Sequence, residues 1–195
     1  MLLTVDGLAG GAWIGANGNG LVVCLLNRTV VGDRPPGQAT ISRGMIVPEA
    51  LNAESASDVR GLIGGMNLHA VQPFTVMAAD LLRHVILSWN GIELQTEPAS
   101  DIRCSSGLGD ALVDGPRRSA WSEGTKAGAT AAQQDAWHRS RYGTFSPAWV
   151  LMSRPGARTV SRNLIEIDPR RIRLEDRQLD ATGAEITFHA VEIPR

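Results

Sequence analysis

Cysteine is scarce in this chain: Cys24 and Cys104 are its only two in 195 residues. They have neither the spacing of a metal knuckle nor that of a redox pair. Both lie in or beside apolar runs and read as buried thiols. No apolar run approaches the ~20 residues that a bilayer span needs. The opening Met1-Leu2-Leu3, followed at once by Thr4, Val5 and Asp6, is too short for a signal-peptide core. The expected residence is therefore cytoplasmic, without a membrane partner. Excess charge is also absent: 19 basic against 20 acidic residues leave a net charge of -1, so bulk electrostatics points to no nucleic-acid partner. The histidines, His69, His84, His138 and His189, are scattered without metal-ligand spacing. Neither a haem-ligand motif nor a nucleotide fingerprint is visible, so no metal or cofactor is expected. No internal repeat, low-complexity tract or linker divides the chain, which reads as one domain over residues 1–195.

What is present is a turn-rich globular sequence, 43% hydrophobic with 21 glycines and 10 prolines. Its organising stretch is Asp6 to Arg28, which reads as a β-hairpin. Ala12 to Gly15 form one strand, Asn17-Gly18-Asn19-Gly20 supply residues that tolerate positive φ, and Leu21 to Leu26 form a second strand. The second run is apolar on both alternating faces, which predicts a strand covered on both sides. Gly10-Gly11 leave no side chain before Trp13, as suits a close backbone approach to something packed above.

Beyond the hairpin, Arg28 to Thr40 is a loop, and Ser42 caps a helix carrying Met45, Ile46, Glu49, Ala50 and Leu51. Pro48 blurs where that helix begins. Ser57-Asp58 cap a second short helix that runs through Leu62 and stops at Gly64-Gly65. Strand periodicity returns at Phe74 to Ala79, His84 to Trp89 and Ile92 to Leu94, with Asp80 to Arg83 as a link and Asn90-Gly91 as a two-residue turn. Ile102 to Cys104 add a short strand. Pro116 to about Tyr142 is mostly helical, anchored by Trp121 and Trp137. Trp149 to Ser153, Thr159 to Ile167, Ile172 to Arg177 and Glu185 to Ile193 then read as strands, with turns at Asp168-Pro169 and Ala181 to Ala184. The order predicts an α+β layered domain.

The succession G-G-A-W-I-G, N-G-L-V-V-C-L-L-N-R and S-R-G-M-I-V-P-E-A-L resembles the NRDE family, also called the transport-and-Golgi-organisation-2 family. P-F-T-V-M-A-A-D, W-N-G, S-S-G-L-G-D and S-R-P-G-A-R-T-V-S-R-N-L-I-E-I extend the resemblance over most of the chain. It implies the four-layer αββα sandwich of N-terminal-nucleophile hydrolases and, by relation, hydrolysis of linear amide bonds. Such enzymes use an N-terminal Cys, Ser or Thr whose own α-amino group acts as base. Family members carry a cysteine after the initiator methionine and an Asn-Arg-Asp-Glu motif soon after. Here residue 2 is Leu2 and no such string occurs. The expectation is thus a sandwich lacking its first strand or strands, with no catalytic residue in this chain. Either the start lies inside a longer reading frame, or this is a short form that must close the gap or homodimerise through it. Unpaired groups in a buried sheet cost roughly 1–3 kcal/mol each, which favours the first. The resemblance also implies an alternative, a non-catalytic carrier of haem or a lipid-like metabolite.

Five residues are candidates for holding a small-molecule ligand. Asn27 and Arg28 end a strand, where Asn can donate to an oxyanion and Arg can grip a carboxylate. Arg43 follows a helix cap, Trp13 suits the mouth of an apolar pocket, and Ser106 lies in a glycine-rich turn with Ser105 and Asp110. Each also has a purely structural reading, as turn, cap or surface residue. Arg158, Arg162, Arg170, Arg171, Arg173 and Arg177 interleave with Glu166, Asp168, Glu175, Asp176 and Asp180, the pattern of a charge-balanced exposed sheet face.

Overall fold

The computed structural model describes residues 1–5, 7, 10–29, 41–125, 130–141 and 149–195. They form two compact units. The first comprises Met1–Ser100, Ile165–Leu174 and Ala190–Arg195; the second comprises Asp101–Leu164 and Glu175–His189. The architecture is α+β with antiparallel sheets, as the alternation of periods predicts.

In the first unit, six strands pair in chain order: β1 (Leu2–Val5), β2 (Ala12–Ala16), β3 (Val22–Asn27), β4 (Phe74–Ala79), β5 (His84–Trp89) and β6 (Leu94–Glu97). The connection from β3 to β4 carries a 3-10 turn at Arg43–Met45, then α1 (Ile46–Ala50), α2 (Val59–Gly64) and a second 3-10 turn at Leu68–Ala70. Ser42 caps the first turn as expected, its Oγ accepting from the Gly44 N–H at 3.2 Å. Pro48 falls in the first turn of α1, where the missing N–H would have had no helical acceptor. Asp58 precedes α2, but its side chain turns back to accept from the Ser55 N–H and hydroxyl.

One face of this sheet and the helices share a hydrophobic core. Register sets Leu25 beside Val76, Val76 beside Leu87, and Val23 beside Ala78. Ile46, Val47, Ala50, Leu51, Val59 and Ile63 belong to the same core. Each such large side chain contributes ~1.5–3 kcal/mol through burial. The opposite face of β3, formed by Val22, Cys24 and Leu26, is half-buried. The expected full cover on both sides is thus met on one face only.

Leu2–Val5 pairs with β2 as an edge strand, although four residues are too few to show a period. The register then slips: Thr4 faces Ile14, whereas Val5 faces Ala12. Trp13 is the extra residue of this bulge, which turns Ala12 into the core and leaves Trp13 38% exposed. Just before it, Gly11 lies against Gly44, where a Cβ on either would sit within 2.7 Å of the other's Cα. The glycine pair thus serves the close approach that its sequence predicts.

Asn90 replaces the expected two-residue turn by a longer one. Its Oδ1 accepts from the Ile92 and Glu93 N–H groups, so pairing resumes only at Trp89 opposite Leu94. Asp80 organises the preceding link similarly, accepting from Leu82 and Arg83 through Oδ1 and from Ala56 through Oδ2.

The second unit contains α3 (Asp110–Gly124), α4 (Ala131–His138) and the hairpin β7 (Ser153–Arg154) with β8 (Ala157–Arg158). The helix α3 begins six residues before Pro116 and tolerates it inside. A Thr130–Gln133 capping box starts α4. Trp121 meets Trp137 edge-to-face at 5.3 Å, over a small core with Ile102 and Ala120. Ile102 to Cys104 and Trp149 to Met152 are irregular rather than strands: their apolar residues fill that core without a neighbouring strand to pair with. Strands β9 (Ser161–Ile167), β10 (Arg171–Leu179) and β11 (Glu185–Pro194) run through both units in the order β11-β10-β9. The expected loop from residue 30 to Thr40, and the helical reading at 126–129 and 142, lie outside the described residues.

The balanced exposed face also needs correction. Arg171 does pair at the surface with Asp168 and Glu192. Arg162, however, is only 7% exposed and lies between Asp135 and Glu185, while Arg177 joins Glu185 to Glu175. The interleaved charges partly build an interior network, where each guanidinium needs its carboxylates.

Candidate functional site

The first unit brings three of the five candidates together. Asn27 is the last residue of β3 and faces Phe74 across the ladder. The next backbone N–H, of Arg28, donates to the Pro73 carbonyl at 3.2 Å. Arg43 reaches that same oxygen from the 3-10 turn, Nη1 donating at 3.1 Å. One carbonyl thus accepts from the backbone of Arg28 and from the guanidinium of Arg43 at the end of the β3–β4 pair.

The Arg28 guanidinium pairs with a carboxylate but is incompletely hydrogen-bonded. Arg28 Nη1 is buried and makes no hydrogen bond among the described residues; Glu97 Oε1 stands 3.8 Å away, beyond hydrogen-bonding distance. Burial lowers the pKa of Arg43, yet a guanidinium stays protonated at neutral pH. A guanidinium with an unpaired N–H can receive a carboxylate or the oxygen of a polarised amide. The Asn27 side chain is exposed beside it.

Trp13 reaches the neighbourhood by another route. Gly11 rests on Gly44, so the bulge carrying Trp13 is two residues from a contact whose other side is flanked by Arg43 and Met45. Val5, Trp13 and Met45 are 55%, 38% and 52% exposed, an apolar border on the segments that meet there. Ser106 belongs to the second unit. Its Oγ accepts from the Leu108 N–H at 3.2 Å, and its own N–H donates to Asp110 Oδ1 at 2.8 Å. Gly109 in this turn has φ 108°.

Neither cysteine offers a ready nucleophile. Cys24 sits in mid-strand opposite Met77, and burial pushes its thiol up to about 11, against a smaller opposing effect of the Met77 backbone hydrogen bond. Burial also raises the Cys104 thiol, with Arg117 opposing it. Both cysteines are half-buried rather than fully buried, so the reading of buried thiols is met in part. Among the described residues no cluster of His, Cys, Asp and Glu could hold a metal ion. No helix among them is long and apolar enough to cross a membrane.

Sequence reasoning did not find the Pro73 carbonyl or Glu97, because a backbone acceptor and a cross-sheet partner leave no local signal. It also misread Asn17. That residue is 7% exposed and has no positive φ. Its Nδ2 donates to the Leu51 and Ala53 carbonyls at 2.9 and 2.8 Å, and its Oδ1 accepts from the Asn19 and Leu21 N–H groups. Asn17 therefore ties the β2–β3 turn to the end of α1, holding the helical layer that presents Arg43.

Compared with known proteins, residues 2–127 match the family model described as Transport and Golgi organisation 2. No curated protein matches the chain significantly.

Proposed function

The chain belongs to the Transport and Golgi organisation 2 family, and on that footing we propose that it binds a small molecule through a carboxylate or amide group held by Asn27, Arg28 and Arg43. The unpaired Arg28 Nη1 donor, on a residue whose backbone shares the Pro73 carbonyl with the Arg43 guanidinium, carries this reading. Trp13 and Met45 border the corner and would pack against the ligand's apolar part. Ser106 stands outside the proposal. The relation to N-terminal-nucleophile amidohydrolases belongs to it: a six-stranded antiparallel sheet with helices on one face is compatible with half of an αββα sandwich. In that setting, the corner is the part that orients a linear amide. Cleavage further requires a nucleophile with a nearby base, and neither cysteine fulfils this.

The test pairs binding with turnover. N-acyl amino acids are incubated with the protein, and both bound ligand and released amine are measured, with and without thiol alkylation. The proposal predicts binding without amine release from this chain, unaffected by alkylation. Amine release abolished by alkylation would restore a cysteine-dependent hydrolase. Absence of binding across acyl lengths would overturn the ligand corner.

A second reading rests on the exposed Val5, Trp13 and Met45: non-catalytic carriage of haem or a lipid-like metabolite. It predicts that haem or a long-chain amphiphile binds equally well when Arg43 is replaced by Gln, because apolar contact then supplies the affinity.

A further inference from the structure

Strand β11 is the outer strand of the three-stranded sheet, and nine of its ten residues are exposed on both faces. Its free edge therefore presents backbone donors and acceptors without a neighbouring strand among the described residues. Natural edges are protected by lysine, by internal proline or by uncompensated charge. This strand contains no lysine, and its proline, Pro194, is its last residue. Its two carboxylates are already occupied: Glu185 by Arg162 and Arg177, Glu192 by Arg171. The usual repulsion between two copies is thus neutralised within each chain.

We propose that β11 pairs antiparallel with β11 of a second copy, through a two-fold axis at Phe188. A strand meeting itself must put one residue opposite its own image, and side chains in register share a face. Centring on Phe188 sets the two Phe188 rings against each other and Ile186 against Ala190 of the second copy. Centring on His189 would oppose Ile186 to Glu192, and centring on Ala190 would oppose Phe188 to Glu192. Centring on Thr187 would oppose Ile186 to Phe188 but overlaps only Glu185–His189, so Phe188 centres the longest register within the strand that matches apolar with apolar along that face. Ile186 and Phe188 are 65% and 49% exposed, so they have surface to bury. Arg177 lies over the Phe188 ring at 5.0 Å and orients it from within its own chain. The occupant of the edge is therefore another copy, joined by main-chain bonds with an aromatic pair at its centre.

Sedimentation velocity and cysteine cross-linking test this together. The protein is expected to sediment as a dimer at about 100 µM, and I186K to weaken the dimer by about tenfold or more. F188C should cross-link efficiently to itself under mild oxidation, while I186C, displaced from its own image, should not. The cross-linking comparison stands even if I186K fails to fold. A monomer at that concentration, including one that pairs only with another protein's strand, overturns the proposal. So does a dimer in which F188C fails to cross-link, or I186C cross-links equally well.

Discussion

Single atoms carry much of this account, beginning with the hydrogen atoms of Gly11 and Gly44. Replacing Gly44 by Ala places a Cβ 2.5 Å from the Gly11 Cα, a clash with backbone that no side-chain rotation relieves. G44A is expected to lose about 1–3 kcal/mol of stability in urea melts, and to weaken ligand binding by displacing Arg43. Cys24 makes a second prediction. Its folded pKa of about 11 lies above the unfolded thiol value of about 8.5. Folding therefore favours the protonated thiol, and that contribution is complete below the unfolded value and lost as pH rises through the folded one. Wild-type stability should fall between about pH 8.5 and 11 by more than that of C24A, the difference being of order 2 kcal/mol. Equal slopes in the two proteins would show that the thiol is not buried as described.

At the scale of elements, strands and their turns are held by a few polar side chains. Asp80 joins the β4–β5 link to the segment between α1 and α2. Burial alone would raise its pKa, but the three backbone N–H groups and the Arg83 charge outweigh burial and hold it below the usual carboxylate range. Its stabilising effect is present above the unfolded value and disappears as pH falls through the lowered one. D80N should be less stable at neutral pH and should flatten the acid limb of a stability profile. N17A should cost more, about 3 kcal/mol or above, since it strands the buried Leu51 and Ala53 carbonyls. These elements show what a sequence discloses. The limits of β4 and β5 were legible because six alternating residues define a face, and Asp80 and Gly91 mark their ends. Asn17 was legible as a turn but not as a bracket, since its acceptors lie 34 and 36 residues away. Likewise Asn27, Arg28 and Arg43 could be named from chemistry, while the Pro73 carbonyl that unites them becomes visible only once β3 and β4 pair.

For the whole molecule, the two units differ in what holds them. The first has a broad aliphatic core between sheet and helices, whereas the second has a small core and the Arg162–Asp135–Glu185 network. Hydrogen exchange should therefore show β3 to β5 opening at a higher free energy than α3 and α4. R162A should destabilise the second unit first, by about 1.5–3 kcal/mol, because it removes the buried cation shared by Asp135 and Glu185 and leaves them only Arg139 and Arg177. The family match spans residues 2–127, and the arginine corner falls wholly within it. The most direct test of that corner is calorimetric titration of N-octanoylglycine into wild type, R43K and R43Q, each first shown to melt as wild type does. Saturable one-to-one binding is expected, largely preserved in R43K and weakened about tenfold or more in R43Q. Equal affinity in all three, or no heat in any, would contradict it.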